Sequence, residues 1–386
     1  MASGKKKNVV TAYLNKVNIK KKDNLKQLLT EMYGAEGARN IRGAFDTIQM
    51  KNGNNCINTE RNDFIHSDYD FSMLMSCFQD GEIIRTTCAW LNSIRRHIGK
   101  TVLDIGCGNG IITCFLASIL PESTFLAVDL SANGIAVAKQ LRTKLNLDNV
   151  VFMEGNYSSL KDKQFDTVLA LRILDENCSP VNCRFQAFSQ QLETKKTQYR
   201  EQMELLASLT APSGNLIVMD MDKEDVSSLA MLDLLRLSGM ELTDFQFLSC
   251  REGDMKLDDL YTAFVTRKTP TPVSYSRLFS QWSSMYFAGS GNEGYKNAEA
   301  DFMLELCEAG NRKGYVTSHP VTKDQTGQFF ICDYKDREDF FILYQKNLSF
   351  SRMGIYPISQ KPEAETLLKE DRERDAAAGF ITLELS

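Results

Sequence analysis

Short apolar runs alternate with longer segments through the middle of the chain. Five runs are short and almost entirely apolar, which is typical of strands buried on both faces of a sheet. The longer segments between them predict helices. The predicted strands are 101–105, 124–129, 149–153, 165–171 and 215–221, and the predicted helices are 109–119, 131–145 and 185–209. This alternation predicts parallel βαβ units with right-handed crossovers.

The alternation stops after Gly239. Residues 244–251 and 260–268 predict two further strands joined by the short segment EGDMKLDD. A segment of this length leaves no room for a crossover helix, so we expect antiparallel pairing. The central part of the chain therefore predicts an α/β, doubly wound, seven-stranded sheet that ends in a hairpin.

Different patterns flank this central part. Helices are predicted over 24–50, with a break at Gly34 and Gly37, and over 68–98, with a break near Asp80-Gly81. The segment TPTP at 269–272 predicts a domain boundary. Beyond it, the predicted helices are 302–307 and 363–378, and the predicted strands are 327–334, 339–346 and 353–358. We therefore predict three parts: a basic arm and helical N-terminal cover (1–79), a central domain (80–268) and a smaller C-terminal α+β domain (273–386).

The charge is unevenly placed along the 386 residues, whose net charge is −5. Residues 1–26 hold eight lysines and one acid, so the rest of the chain carries −12. A basic arm can bind nucleic acid or anionic lipid. No aromatic residue interleaves the lysine clusters, however, and the rest of the chain is acidic. We therefore expect a solvated, mobile N-terminal end and no nucleic-acid partner.

Cysteine spacing and apolar run length limit the remaining classes. The ten cysteines include no CxxC pair and the three histidines are scattered, so we expect free thiols and no metal. The longest apolar run, 111–120, is ten residues, well short of the roughly 18 that a membrane helix needs. No apolar segment follows the N-terminal lysines as in a signal peptide. We expect a cytoplasmic protein with no membrane partner.

The most informative segment is the glycine-rich turn VLDIGCGNG, residues 102–110. A dinucleotide-binding turn has the spacing G-x-G-x-x-G, whereas the glycines here are 106, 108 and 110. Asp104 stands two residues before the first glycine. A carboxylate there offers nothing to a pyrophosphate but attracts a ligand that carries an ammonium or sulfonium charge.

This turn resembles motif I of the class I S-adenosylmethionine-dependent methyltransferases, and the resemblance covers about residues 80–268. It implies a Rossmann-like sheet with a reversed last strand, S-adenosylmethionine as cofactor and S-adenosylhomocysteine as product. The residues implied to bind the cofactor are Asp104, Gly106, Cys107, Gly108, Gly110, Asp129, Leu130, Gly155, Asn156 and Leu171. Asp129, which ends the second strand, suits the ribose diol. The sequence departs from the family at Asn156, where an acid is usual, and at Ser213, which replaces a glycine.

The resemblance implies in-line displacement of a methyl group from sulfur by an N, O, S or C nucleophile. The Asp/Asn-Pro-Pro-Tyr/Phe motif, the Pro-Cys dipeptide and the paired glutamates of three macromolecule-methylating subfamilies are absent. We therefore expect a small-molecule acceptor. The alternatives are a protein methyltransferase, a non-catalytic S-adenosylmethionine-binding scaffold subunit and, outside the family, a dehydrogenase. The C-terminal domain could close over substrate or form a homodimer.

Acid–base candidates lie on both sides of the predicted cofactor turn. His66 and Tyr69 belong to the polar and aromatic segment IHSDYDF, just before the helix expected to cover the cofactor. Asp175 and Glu176 follow the fourth predicted strand, where substrate usually binds. A general base is needed only if the nucleophile arrives protonated. We name His66, Tyr69 and Glu176 as the catalytic candidates.

Overall fold

A computed structural model describes residues 8–20, 24–52, 59–174, 186–221, 226–250, 259–271, 273–290, 309–334, 337–347 and 351–385. The helices are α1 Val9–Lys16, α2 Leu25–Asn52, α3 Thr59–Ile65, α4 Tyr69–Gln79, α5 Gly81–Ser93, α6 Ile111–Ile119, α7 Ala132–Leu145, α8 Phe188–Leu209, α9 Ser227–Leu237, α10 Tyr275–Ser290 and α11 Lys361–Ala377. The strands are β1 Thr101–Ile105, β2 Thr124–Asp129, β3 Val150–Glu154, β4 Phe165–Leu171, β5 Thr210–Met221, β6 Met240–Cys250, β7 Asp259–Lys268, β8 Ala309–Ser318, β9 Gln325–Tyr334, β10 Arg337–Asn347, β11 Ser351–Pro357 and β12 Ile381–Leu385.

The chain divides into two compact units. The first comprises Met1–Pro180, Tyr199–Lys223 and Phe247–Pro270. The second comprises Val181–Gln198, Glu224–Gln246 and Thr271–Ser386. The proposed boundaries at 79–80 and 268–273 remain predictions.

Seven strands form one sheet in the order β3-β2-β1-β4-β5-β7-β6. The pairs β2–β3, β1–β2, β1–β4 and β4–β5 are parallel, and β5–β7 is antiparallel. The predicted α/β sheet with a reversed strand is therefore confirmed. β2 and β4 lie on opposite sides of β1, so the chain direction across the sheet switches there. Such a switch opens a crevice at the carboxyl ends of the strands, which is where ligands bind in open α/β sheets.

Residues 8–20 of the basic N-terminal segment are folded, whereas the charge pattern predicted a mobile end. Residues 9–16 form α1, whose buried side chains Val10, Tyr13 and Leu14 follow helical spacing, and Val17 continues the stripe. The Tyr13 hydroxyl donates a 2.6 Å hydrogen bond to the backbone carbonyl of Ile111, the first residue of α6. For these residues the expectation was wrong because the apolar stripe of α1 is buried, whereas its one lysine, Lys16, stays exposed.

Removing a buried side chain from α1 should therefore destabilise the fold. Leu14 is 0% exposed, and we expect Leu14→Ala to lower the free energy of unfolding by about 2–5 kcal/mol. Val9, 38% exposed on the same helix, provides the matched control, and Val9→Ala should change stability by less than about 0.5 kcal/mol. Urea denaturation followed by circular dichroism measures both. If neither variant changed the free energy of unfolding, the prediction of a solvated, mobile N-terminal end would stand.

The second unit contains a five-stranded sheet in the order β11-β10-β9-β8-β12. All of its neighbouring strands pair antiparallel. One face packs against α11 through a core that includes Tyr315, Phe329, Phe341 and Leu368. The predicted strands correspond to β9, β10 and β11, whereas β8 and β12 were not predicted, and the predicted helix 302–307 lies outside the described residues. No helix in the described ranges is both long and apolar enough to span a bilayer.

Candidate active site

The glycine turn joins β1 to α6 and uses left-handed backbone at each of its three glycines. Gly108 has φ +52, and a Cβ placed there would meet nothing closer than His66 Nε2, at 4.0 Å. Gly110 has φ +75, and a Cβ there would stand 2.8 Å from both Ala138 Cβ and Phe152 Cζ. Gly108 therefore leaves open space above the turn, whereas Gly110 lets α6 and α7 pack closely against the sheet.

The two glycines should respond differently to alanine. We expect Gly110→Ala to lower the free energy of unfolding by about 3 kcal/mol, because left-handed strain adds to overpacking. Gly108→Ala adds only the backbone strain, about 1–2 kcal/mol, but places a methyl group in the open space. Thermal melting compares the stability of the two variants. Titration with S-adenosylhomocysteine measures how far the methyl group of Gly108→Ala weakens ligand binding. Equal melting temperatures for the two variants would contradict this division.

Asp129 ends β2 and ties its end to the glycine turn. One carboxylate oxygen, Oδ2, accepts a 2.7 Å hydrogen bond from the backbone N–H of Gly108. The other, Oδ1, accepts a 2.8 Å bond from the backbone N–H of Ser131, which caps α7. The carboxylate thus holds two loops together and lines the cavity above them.

Asp104 lies on β1, directly beneath the turn. It is 3% exposed, and its Oδ2 accepts a 2.6 Å hydrogen bond from the Thr113 hydroxyl on α6. Burial raises the pKa of Asp104 to about 7, although the hydrogen bond from Thr113 holds it down. A buried carboxyl poised near neutrality can respond to a cationic ligand by losing its proton.

A cavity of about 970 Å³ opens above the carboxyl ends of β1, β2 and β4. It brings together most of the residues proposed from the sequence. Those that line it are His66, Asp104, Gly106, Cys107, Gly108, Asp129, Leu130, Gly155, Asn156 and Leu171. Gly110 is not among the lining residues because it serves packing, and Glu176 lies outside the described residues.

Tyr69 faces a different space. It lines a separate cavity of about 430 Å³, together with Lys144 and Met73. The Lys144 ammonium lies 3.2 Å from the centroid of the Tyr69 ring. Burial raises the pKa of Tyr69, so its hydroxyl keeps its proton at neutral pH. The structure therefore does not bring Tyr69 together with the glycine turn, and its catalytic role remains an untested prediction.

Asn156 follows β3 and has a local structural role. Its Oδ1 accepts a 2.9 Å hydrogen bond from the backbone N–H of Ser158 and caps the short helical turn Tyr157–Leu160. It also lines the large cavity, and so does its neighbour Gly155. A cofactor contact from Asn156 is therefore compatible with its capping role.

The end of β4 carries a site feature that sequence reasoning missed. Arg172 lines the cavity with its backbone at φ +62, a conformation unusual for a side chain of this size. Its guanidinium forms a 2.8 Å ion pair with Asp80, between α4 and α5, and its backbone N–H donates to Met219 on β5. This pair joins the helical cover to the sheet. No sequence signal marks an arginine for left-handed backbone.

Within the described part of the chain, no three His, Cys, Asp or Glu side chains gather as metal ligands do. The six cysteines in the described ranges form no disulfide with one another, and all except Cys107 are buried. Burial raises the pKa of Cys114 to about 12, so this thiol is not a nucleophile near neutrality.

Residues 96–257 match the family model of a methyltransferase domain. Among curated proteins, ribosomal RNA small subunit methyltransferase G of Chlorobaculum tepidum is 40% identical over 83 residues, which are 21% of this chain and 38% of that protein. Ribosomal RNA small subunit methyltransferase C of Buchnera aphidicola is 34% identical over 71 residues, which are 18% of this chain and 22% of that protein. The chain thus spans well under half the length of the curated relatives it matches.

Among solved structures, this chain is similar to magnesium protoporphyrin IX methyltransferase from Synechocystis with bound S-adenosylmethionine. It is 17% identical, with a TM-score of 0.37, and the match covers 64% of this chain and 98% of that one. The family model, the seven-stranded sheet and the glycine turn preceded by Asp104 all indicate a methyltransferase domain. Residues 96–257 therefore form a methyltransferase domain, and its seven-stranded sheet and glycine turn resemble those of the class I, Rossmann-like, S-adenosylmethionine-dependent family.

Proposed function

We propose that this protein transfers a methyl group from S-adenosylmethionine to a small molecule bound in the large cavity. The observation that carries the proposal is the open turn at Gly108, flanked by the carboxylates of Asp104 and Asp129. A ligand can approach the backbone there, and two acids face it from the ends of adjacent strands.

The residues present fit the proposed cofactor. The space above Gly108 is one that a Cβ would begin to fill. Asp129 keeps acceptor capacity on both oxygens for a ribose diol, since each carboxylate oxygen offers two lone pairs. Asp104 places a carboxyl where an ammonium or sulfonium group would stabilise its ionised form. Gly155, Asn156 and Leu130 complete the wall on the β2–β3 side.

When bound, S-adenosylmethionine supplies an electrophilic methyl group on a positively charged sulfur. The chain then has to hold the nucleophile in line with that group, an effect worth about 7–11 kcal/mol in favourable cases. Residues beyond β4 and on α8 also line the cavity, among them Ile173, Gln202 and Leu205. We assign them to the acceptor side of the cavity.

Size and charge favour a small acceptor. A cavity of about 970 Å³ lies at the upper end of the range for small-molecule sites, which leaves room for a cofactor and a second ligand. Four carboxylates line it (Asp80, Asp104, Asp129 and Glu201), against the guanidinium groups of Arg61 and Arg172. A wall with more acids than bases suits a phosphate backbone poorly.

RNA is the second candidate acceptor, favoured by the names of the two curated relatives. Both are named as ribosomal RNA methyltransferases, and the chain shares a segment of 71–83 residues with them. A flipped base could enter a pocket of this kind. The net charge of −5 opposes this candidate, because RNA-binding proteins need a basic surface to neutralise phosphates.

Methyl transfer from tritium-labelled S-adenosylmethionine into a fractionated cell extract tests the proposal. The extract is divided into metabolites, RNA and protein, and each fraction is incubated with the purified chain and with Asp129→Ala as the inactive control. We expect label in the metabolite fraction with the wild type alone. Label in RNA would favour the second candidate, and label in protein would favour a protein methyltransferase. Cofactor binding without label in any fraction would indicate a scaffold.

A further inference from the structure

His66 lies between α3 and α4 with one ring edge facing the glycine turn. Its Nε2 is 4.0 Å from the position that a Cβ on Gly108 would take. Its Cδ2 is 3.3 Å from the corresponding position on Gly134, at the start of α7. The Cδ2–Nε2 edge therefore faces two places where the backbone carries no side chain.

The other ring nitrogen belongs to a chain of polar groups beneath α4. His66 Nδ1 lies 2.9 Å from the Ser72 hydroxyl. The Asn109 side-chain amide donates to Ser72 at 3.0 Å and to Ser76 at 2.8 Å. Asn109 belongs to the glycine turn, so this chain links the turn to the helical cover.

These bonds accommodate a proton on Nε2 of the imidazole. Ser72 has one hydroxyl proton and accepts from Asn109, so its proton is available to His66 Nδ1. When Ser72 donates to it, Nδ1 is the acceptor, and the neutral imidazole carries its own proton on Nε2. The N–H that results points toward the space above Gly108.

His66 is neutral at physiological pH. Burial lowers the pKa of His66, and the carboxylates that face it, Asp129 on β2, Asp80 before α5 and Asp63 on α3, only partly offset this. Arg61, on the same helix as Asp63, is the further charged side chain on this wall of the cavity. A neutral ring in this tautomer can donate one hydrogen bond from Nε2 but has its basic nitrogen turned away from the cavity.

We propose that His66 binds the cofactor, by donating from Nε2 to an acceptor atom above Gly108, and is not a general base. The proposal rests on the proposed function, because it assumes that S-adenosylmethionine occupies this space. It changes the role that the sequence suggested for His66. It also gives Ser72 and Asn109 a task, which is to fix the tautomer.

Two amide variants test the direction of the hydrogen bond. The glutamine amide nitrogen reaches the position of Nε2, whereas the asparagine amide nitrogen reaches that of Nδ1. We expect His66→Gln to bind S-adenosylhomocysteine within about threefold of the wild type and His66→Asn to bind at least about tenfold more weakly. Calorimetric titration measures both affinities, and thermal melting checks that both variants fold.

A second measurement reads the tautomer without any ligand. Nitrogen-15 chemical shifts of the imidazole rings, assigned with His97→Gln and His319→Gln, should show His66 protonated on Nε2 at pH 7. A proton on Nδ1, or tighter binding by His66→Asn than by His66→Gln, would overturn the proposal. Failure of the proposed function looks different, because the wild type itself would then not bind S-adenosylhomocysteine.

Discussion

Asp129→Ala should abolish measurable cofactor binding at micromolar concentrations. Hydrogen bonds to a charged group are worth about 1.5–3 kcal/mol each, so losing two to a ribose diol weakens binding by about 100-fold or more. The same change removes the acceptor of the Gly108 and Ser131 backbone N–H groups, which loosens the turn itself. Calorimetric titration with S-adenosylmethionine and S-adenosylhomocysteine gives the two dissociation constants.

The adjacent strand offers a matched control. Glu154 ends β3 and pairs in register with Asp129, but it is exposed and does not line the cavity. Glu154→Ala makes the same change in charge one strand away and should leave both dissociation constants unchanged. Asp129→Asn keeps one acceptor oxygen and should fall between the two. If Asp129→Ala bound the cofactor as tightly as the wild type, Asp129 would not be a cofactor-binding residue. If the wild type did not bind S-adenosylmethionine at all, the proposed cofactor would be wrong.

The sheet was accessible from the sequence because its strands are short, apolar and separated by helices. The fit is closest where both faces are covered: β1, β2 and β4 have the predicted bounds, and β3 begins one residue late. β5 begins at Thr210 rather than 215, because the turn residues before it, including Ser213 at φ +63, continue the strand. β12 escaped prediction since its side chains are largely exposed and offer no buried face.

The part of the large cavity around the glycine turn could be predicted from the sequence, and the other parts could not. Asp104, Gly108 and Asp129 follow from local spacing, since each stands at a strand end or in the turn that joins strand to helix. His66 and Tyr69 are three residues apart, and sequence could not show that they face different cavities. That outcome depends on how α4 packs against α7 and the glycine turn, which is a tertiary effect.

Cofactor binding should release a proton near pH 6.5, and Asp104 should be its source. The pKa of this carboxyl is about 7 in the cofactor-free protein because of burial. A cationic group placed beside it favours the charged form and lowers the pKa, so a carboxyl that is mostly protonated at pH 6.5 ionises on binding. Below that pKa the affinity should rise by up to about tenfold per pH unit, and above it the affinity should level off.

Calorimetry in two buffers of different ionisation enthalpy measures the proton directly. At pH 6.5 we expect about half a proton or more released by the wild type and none by Asp104→Asn, whose affinity should also fall and lose its pH dependence. Thr113→Val provides a control of the opposite kind. It removes the 2.6 Å hydrogen bond that holds the pKa of Asp104 down, so release should extend to higher pH. The unfolding free energy of the cofactor-free wild type, taken relative to Asp104→Asn, should decrease as pH rises from about 4 to 7, because the native Asp104 carboxyl keeps a proton that the unfolded one loses. Unchanged proton release in Asp104→Asn would assign the titrating group elsewhere and leave Asp104 a structural role.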